Sequence, residues 1–308
     1  MSDLDLDQFY FQDSFLKEHL KDYNFDGLTQ GKYLRSRLLE LFGDLYDLPK
    51  DKCKSLGRIV ELVHNATLTH DDVIDHSHTR RGSPSVPSLI NNKKSVLLGD
   101  YMLAKALHEL SEFKNTNLSA ELTLTLKDLV EGEWIQYENT NPYEISKNLY
   151  TRLAIKKTGS LFGWALIAPH LAAGKNQDST YELLVELGES LGVIFQITDD
   201  LIDFNKESKK TYGLDFKNNN INYVLHYIGT SNPEVKTKFL RADTINDLEK
   251  SDFELIDKSI LRSKNDVKQY VDRSKEILED LKGKYTQNKH TSLLEFCSIL
   301  DLVIDRVF

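Results

Sequence analysis

From Ser179 to Phe204 the chain has no proline, and its side chains sort by type at a spacing of three to four residues. Val193, Ile197, Leu201 and Phe204 make one apolar stripe, and Gln196, Asp199, Asp200 and Asp203 make the opposite face, with Ile194, Phe195 and Ile202 between them. That period belongs to a helix and not to a strand. A helix this apolar is expected to be largely buried, so its polar stripe must meet something other than bulk water. The same period predicts helices over roughly Gly31 to Tyr46, Cys53 to Asp75, Lys93 to Ser111, Leu118 to Glu138, Pro142 to Ala173 and Asp252 to Leu281, with a last one beginning near Ser292. No alternating run with hairpin signals interrupts them. His76 to Pro87, with Arg-Arg-Gly and two prolines, reads as a loop, and Lys206 to Asn220 reads as a polar loop of the functional kind. The expectation is an all-α chain forming a single domain over 1–308, a bundle of many long helices around a central deep cavity.

Charge narrows the function. Asp and Glu total 48 against 39 Lys and Arg, a formal net charge of −9, which argues against general nucleic-acid binding. Cys53 and Cys297 cannot build a disulfide framework or a cysteine-rich zinc site. The run from Leu161 to Gly174 carries Pro169 and His170 and is too short to span a bilayer, so no integral membrane protein is expected. The acidic start has no secretory pattern, and a cytoplasmic location is expected.

Two carboxylate motifs stand out, Asp71-Asp72-Val73-Ile74-Asp75 and Asp199-Asp200-Leu201-Ile202-Asp203. Residues four apart share a helix face, so Asp71 pairs with Asp75, and Asp199 with Asp203. Glu61, His64, Thr67, Asp71 and Asp75 also follow helical spacing. Carboxylates crowded on a buried face repel one another unless cations compensate them. Oxygen-only donors favour Mg²⁺, which keeps waters and is completed by substrate phosphates. Lys32 with Arg35, then Arg80 with Arg81, then Lys157 beside Thr158 supply cations suited to such phosphates. His64, His70, His76 and His78 serve this reading better than a zinc site. Trp134 and Trp164 read as packing residues.

These pieces resemble the trans-isoprenyl diphosphate synthases, or polyprenyl synthases, over roughly Gly31 to Phe308. The resemblance rests on Gly31-Lys32-Tyr33-Leu34-Arg35, on Glu61 to Asp75 with both His64 and the first motif, and on Arg80-Arg81-Gly82. It continues through Gly99-Asp100, Glu131-Gly132-Glu133, Lys157-Thr158-Gly159 and Phe195-Gln196 to Asp203. It implies that the six aspartates bind Mg²⁺ bridging an allylic diphosphate, which Arg80, Lys157 and Lys210 also contact. It implies that Lys32, Arg35, His64 and Arg81 hold isopentenyl diphosphate, and that Thr158 and Gln196 lie near the developing allylic cation. A homodimer is expected on the same basis, with the helical stripes near Leu97 to Leu110 and Leu118 to Trp134 as core or subunit contact.

The sequence also departs from the family pattern. Where a stretch with a lysine, a threonine and a proline usually follows the second motif, this chain has Asn220 for the lysine, Asn222 for the threonine and Val224 for the proline, and Ser36 follows Arg35 in place of a frequent proline. Weaker primer binding is expected from the missing charge at 220, unless Lys217 reaches in. Ala66 and Thr67, one turn before Asp71, are small, which resembles long-chain members and predicts a product longer than C20. The floor of the chain-length path is then expected deeper, at Met102, Leu103 or Leu107. A short-chain synthase of the geranylgeranyl type, a terpene cyclase and a catalytically silent partner subunit are the alternatives.

Overall fold

A computed structural model describes residues 13–23, 25–26, 31, 33–205, 212–218, 220–230, 233–242 and 244–305, and they are helical almost throughout. The helices are α1 (Ser14–Leu20), α2 (Leu34–Leu45), α3 (Lys50–Ile74), α4 (Val86–Ile90), α5 (Asn92–Ser111), α6 (Thr116–Glu138), α7 (Lys147–Ala154), α8 (Ser160–Ala172), α9 (Ser179–Asp203), α10 (Leu214–Asn218), α11 (Tyr223–Gly229), α12 (Pro233–Arg241), α13 (Lys250–Lys284) and α14 (His290–Ile304). A π-helical turn, Ile155–Gly159, joins α7 to α8, so the long helix expected from Pro142 starts later and changes pitch midway. Its start is set by Ser146, whose hydroxyl accepts from Leu149 N at 3.1 Å as an N-cap. The short α1, α4, α10, α11 and α12 were not expected, because too few turns repeat for periodicity to register. Among the described residues no helix is long and apolar enough to cross a membrane.

The chain groups into two compact units, one from Met1–Thr123 with Trp164–Asp178, the other from Leu124–Gly163 with Ser179–Phe308. In the first, α3 packs on α5 and α2. Leu56, Ile59, Val60 and Val63 of α3 meet this core with Leu38, Leu39 and Phe42 of α2 and Met102 and Ala106 of α5, all of them buried. Trp164 is fully buried in this unit. Gly99 brings α5 close to the aspartate end of α3, for a Cβ there would sit 2.2 Å from His70 Nε2. His70 donates from Nε2 to Val96 O at 3.2 Å, which ties the two helices together.

Helix α3 stops directly after its aspartates. Asp75 caps it, His76 turns left-handed at φ 51°, and the amides of His76 and Ser77 return to the carbonyls of Val73 and Asp72. This is the Schellman arrangement, with histidine in the usual glycine position. The loop that follows holds a two-stranded antiparallel ribbon, β1 (Thr79–Arg80) and β2 (Ser83–Pro84). Its connection is Arg81-Gly82, with φ 53° and 81°, the two positive angles that a type I′ hairpin turn demands. Sheet was not expected at all, and this ribbon is too short to show as alternation.

In the second unit α9 packs on α13 and against the π turn, and α11 packs on α13. Val193, Ile197, Leu201 and Phe204, the expected stripe, are all buried. The approach of α9 to the π turn is set by paired glycines. A Cβ on Gly192 would stand 2.3 Å from Gly159 Cα, and one on Gly188 would stand 2.3 Å from Gly163 Cα. On the other side of the turn, a Cβ on Gly132 would lie 2.5 Å from the Lys157 amide nitrogen. Backbone therefore meets backbone on both flanks of Lys157-Thr158. Of the two expectations for the stripe ending at Trp134, core or subunit contact, core does not hold for Trp134, which is 63% exposed with Nε1 donating to Glu138 at 2.7 Å.

Candidate functional site

In the first unit the basic and acidic residues converge on α3. Glu61 is buried at 3% exposure and accepts from the backbone N–H of Ser36 at 3.1 Å. That amide belongs to the first turn of α2, where helix donors need outside partners, and a proline at 36 would lack it. Arg35 Nη1 lies 3.4 Å from His64 Nε2. A guanidinium only donates, so this contact assigns the imidazole proton to Nδ1. Burial and the charges of Arg35, Arg81 and Arg80 hold His64 well below its ordinary value, so it is neutral at pH 7. Burial lowers Arg35 to about 10, with Glu61 opposing and Arg81 adding to the fall, and Arg81 is lowered by burial and by Arg80. Glu61 is pushed up by burial, against the pull of Arg35. Arg81 also approaches Gly31, where a Cβ would sit 3.1 Å from Nη1.

Of the first motif, Asp72 is fully buried, Asp71 is half-buried and Asp75 is exposed. Carboxylates crowded on a buried face need a compensating cation, and Asp72 has one within its own unit. The ribbon carries Arg80 back to it, with Nε donating to Oδ1 at 3.0 Å and Nη2 closing on the same oxygen. Asp72 Oδ2 is buried and has no hydrogen-bond partner.

In the second unit the π turn carries two lysines with different partners. Lys156 Nζ reaches Asp128 at 2.5 Å and Glu131 at 2.6 Å, while Lys157 Nζ reaches Glu133 at 2.5 Å and Gln136 at 2.9 Å. Pitch changes of this kind are frequent at functional sites. Thr158 donates its hydroxyl to Gln196 Oε1 at 3.3 Å, and Gln196 Nε2 faces Asp200 Oδ1 at 3.5 Å. Asp200 is buried, and its other oxygen accepts from Tyr150 OH at 2.6 Å and from the Tyr223 amide at 2.7 Å. Burial raises its pKa well above the carboxylate range, helped by Asp215 and opposed by those two donors. Asp203 is buried and accepts from the amides of Leu214 and Asp215 at 3.1 Å each, capping α10. Asp199 is exposed. Among the described residues no three acidic, histidine or cysteine side chains close on one point as a ready-made cation nest.

The family model named polyprenyl synthetase matches residues 16–255. The chain belongs to the polyprenyl synthetase family. A probable mitochondrial hexaprenyl pyrophosphate synthase of Neurospora crassa is 36% identical over 164 residues, 51% of this chain and 36% of that protein. The chain spans about half the length, or less, of curated relatives such as that one. Among solved structures, a decaprenyl diphosphate synthase from Rhodobacter capsulatus superposes with TM-score 0.80 at 27% identity, covering 90% of this chain and 86% of its own. A polyprenyl synthase from Caulobacter crescentus, complexed with calcium and isoprenyl diphosphate, gives TM-score 0.80 at 26% identity over 99% and 93%. The all-α fold of this chain is that of these two synthases.

Within each unit the expected site residues therefore group. Arg35, His64 and Arg81 form one cluster, Arg80 joins Asp72, and Thr158 and Gln196 form a chain leading to Asp200. Lys32 and Lys210 lie outside the described residues. Of the chain-length residues, Ala66 and Met102 are fully buried, Leu103 is half-buried, and Thr67 folds its hydroxyl onto His64 O at 2.8 Å. Leu107 departs from expectation: it is 39% exposed and lies off the face of α5 that buries Met102. Tyr150, Tyr223 and Asp215 were missed. Asn220 and Asn222 each donate a side-chain N–H to Asp215, at 3.1 and 3.0 Å, and Asn222 also caps α11 by accepting from Val224 N at 2.9 Å. The asparagines that replace the family's lysine and threonine thus hold a carboxylate. A run of asparagines in a polar loop gave no sign of it.

Proposed function

We propose that this chain is a divalent-metal-dependent prenyltransferase that condenses isopentenyl diphosphate with an allylic diphosphate primer to give a trans-polyprenyl diphosphate longer than C20. The observation that carries the reading is the crowding of cations around α3. Arg35 and Arg81 hold their protons less firmly than usual, chiefly through burial, with Arg81 pressing on Arg35 and Arg80 on Arg81, and the neutral His64 lies 3.4 Å from Arg35. A polyanion placed among them relieves that repulsion, and arginine forks match phosphate oxygens. A terpene cyclase, which handles one diphosphate, has no use for this second cationic cluster.

A hard divalent cation suits the donors present. They are carboxylate oxygens, and Asp72 offers a buried oxygen with no hydrogen-bond partner. Asp71, Asp72 and Asp75 in the first unit, and Asp199, Asp200 and Asp203 in the second, would each hold Mg²⁺, which when bound stabilises the charge of a departing diphosphate. Arg80, Lys157 and Lys210 contact the primer diphosphate. Lys32, Arg35, His64 and Arg81 orient isopentenyl diphosphate. Thr158 and Gln196 turn oxygen atoms toward the allylic cation once its carbon–oxygen bond breaks, and the surrounding side chains keep out water that would quench it. The double bond of isopentenyl diphosphate then attacks, and the departing diphosphate takes the proton that restores an allylic product. This chain therefore requires no side-chain base. The small Ala66 and half-buried Thr67 support a path that continues beyond C20.

A homodimer belongs to the same reading. Val130, Trp134 and Tyr137 share one face of α6 and are 64%, 63% and 73% exposed, an apolar surface of the kind that a second copy covers. The test is to incubate the purified protein with Mg²⁺, farnesyl diphosphate and isopentenyl diphosphate and to read product lengths by mass spectrometry. Products at C30 or beyond are expected. Arrest at C20 keeps the chemistry and refutes the length. No product from any allylic primer refutes the enzyme and leaves a silent partner subunit, the reading that the uncharged Asn220 favours.

A further inference from the structure

Asp266 lies on α13, beyond the stretch that matches the family, yet its carboxylate is the hub of a buried network. A single oxygen, Oδ2, accepts from Lys147 Nζ at 2.9 Å, from Tyr223 OH at 2.7 Å and from Tyr227 OH. The three donors outweigh burial and hold its pKa below the ordinary carboxylate value. Tyr223 connects this hub to the second aspartate motif. Its hydroxyl is bound to Asp266, its backbone N–H donates to Asp200 Oδ2, and its ring lies 4.6 Å from that of Tyr150. Tyr150 donates to the same oxygen of Asp200. Asp200 Oδ2 is thereby taken up by two donors, while among the described residues Oδ1 faces the more distant Gln196 amide at 3.5 Å.

The geometry points to Asp266 as a positioning residue: through Tyr223 it fixes which oxygen of Asp200 faces inward and which is presented to a divalent cation. The inference rests on the reading of Asp200 as a metal ligand. In this reading Asp266 is no ligand of metal or substrate and acts through the Tyr223 side chain, which anchors the start of α11, while Tyr227 one turn on holds the same helix to the same oxygen. Groups that orient a metal ligand are worth about 10- to 100-fold in metal affinity. The anchor matters more in this chain because the residues just before Tyr223, Asn220 and Asn222, replace the family's charged and hydroxyl side chains.

The test uses the full chain with Asp266→Asn and, separately, Tyr223→Phe, which keeps the ring and the backbone N–H and loses only the hydroxyl. Mn²⁺ binding in the presence of inorganic pyrophosphate is followed by electron paramagnetic resonance, alongside thermal unfolding without metal and the KM for isopentenyl diphosphate. The expected result is a roughly tenfold loss of Mn²⁺ affinity in both variants, no larger in the double variant, with that KM unchanged. Wild-type Mn²⁺ affinity in both single variants overturns the inference alone. So does a loss in Asp266→Asn that Tyr223→Phe does not share, because the effect would then not pass through the tyrosine. Failure of the wild-type protein to bind Mn²⁺ with pyrophosphate overturns the functional reading as well.

Discussion

Replacing Gly188 or Gly192 by alanine tests how the second aspartate motif is held against Thr158. A Cβ at either position meets a glycine Cα 2.3 Å away, whereas ordinary carbon contacts begin near 3.4 Å. No flexible side chain is there to yield, so α9 must back away from the π turn or the start of α8 by about 1 Å. Overpacking of this size costs about 1–3 kcal/mol, and the upper end applies because backbone opposes backbone. The melting temperature should fall by roughly 5–10 °C. A shift of about 1 Å also breaks the 3.3 Å contact of Thr158 with Gln196, and misplacement on that scale costs on the order of 100-fold in turnover. Gly163 is the internal control. A Cβ there meets nothing within 4 Å, so Gly163→Ala should be neutral or stabilise by up to about 1 kcal/mol through helix propensity. Urea unfolding and steady-state kinetics on the three variants decide the matter. If all three lie within about 0.5 kcal/mol of wild type, the close glycine contact does not set this geometry and the reasoning is wrong.

Four further outcomes follow from the same geometry. Arg80→Ala strands the buried Asp72 and should cost about 2–3 kcal/mol after allowing for the partial exposure of Arg80, while Arg80→Ala with Asp72→Asn should regain most of it; equal stability of the single variant and wild type would contradict the pairing. Asn220→Lys places a cation beside Asp215 where the family carries one, and the KM for the allylic primer should drop several-fold; an unchanged value removes the missing charge as an explanation. Ala66→Phe should shorten the product, and an unaltered length distribution would show that the chain does not run past this fully buried position. His64 is depressed in the fold, so on acidification below about 6.5 the unfolded chain takes up a proton that the folded chain refuses. Wild type should therefore lose up to about 1.4 kcal/mol per pH unit more than His64→Gln below that pH, and parallel stability curves between pH 7 and 5 would count against a neutral His64.

The local rules reached far into this protein. Long amphipathic repeats place α2, α3, α5, α6, α9 and α13 to within a few residues, because each buries a stripe that the sequence displays at the period of the helix. Both aspartate motifs were legible as residue types at helical spacing, whereas the grouping of Arg35 with His64 and of Thr158 with Gln196 came from the resemblance to the family. What stayed hidden depends on partners far apart in the chain. Asp200 is held by Tyr150 and Tyr223, fifty and twenty-three residues away, and each tyrosine looks like any core aromatic in the sequence. Arg80 is carried back to Asp72 by a ribbon of two-residue strands, too short to alternate. The stripes that hold Trp134 and Leu107 read as core or subunit contact, because periodicity says which face is apolar, not whether another element of this chain covers it. The sequence by itself determined the helices and the chemistry they carry, since propensity and side-chain type are local properties. Only the tertiary structure decided which carboxylate oxygens are already bonded, which remain for a cation, and which arginines press on one another, because burial and hydrogen bonding are set by whatever the fold brings within 3 to 4 Å.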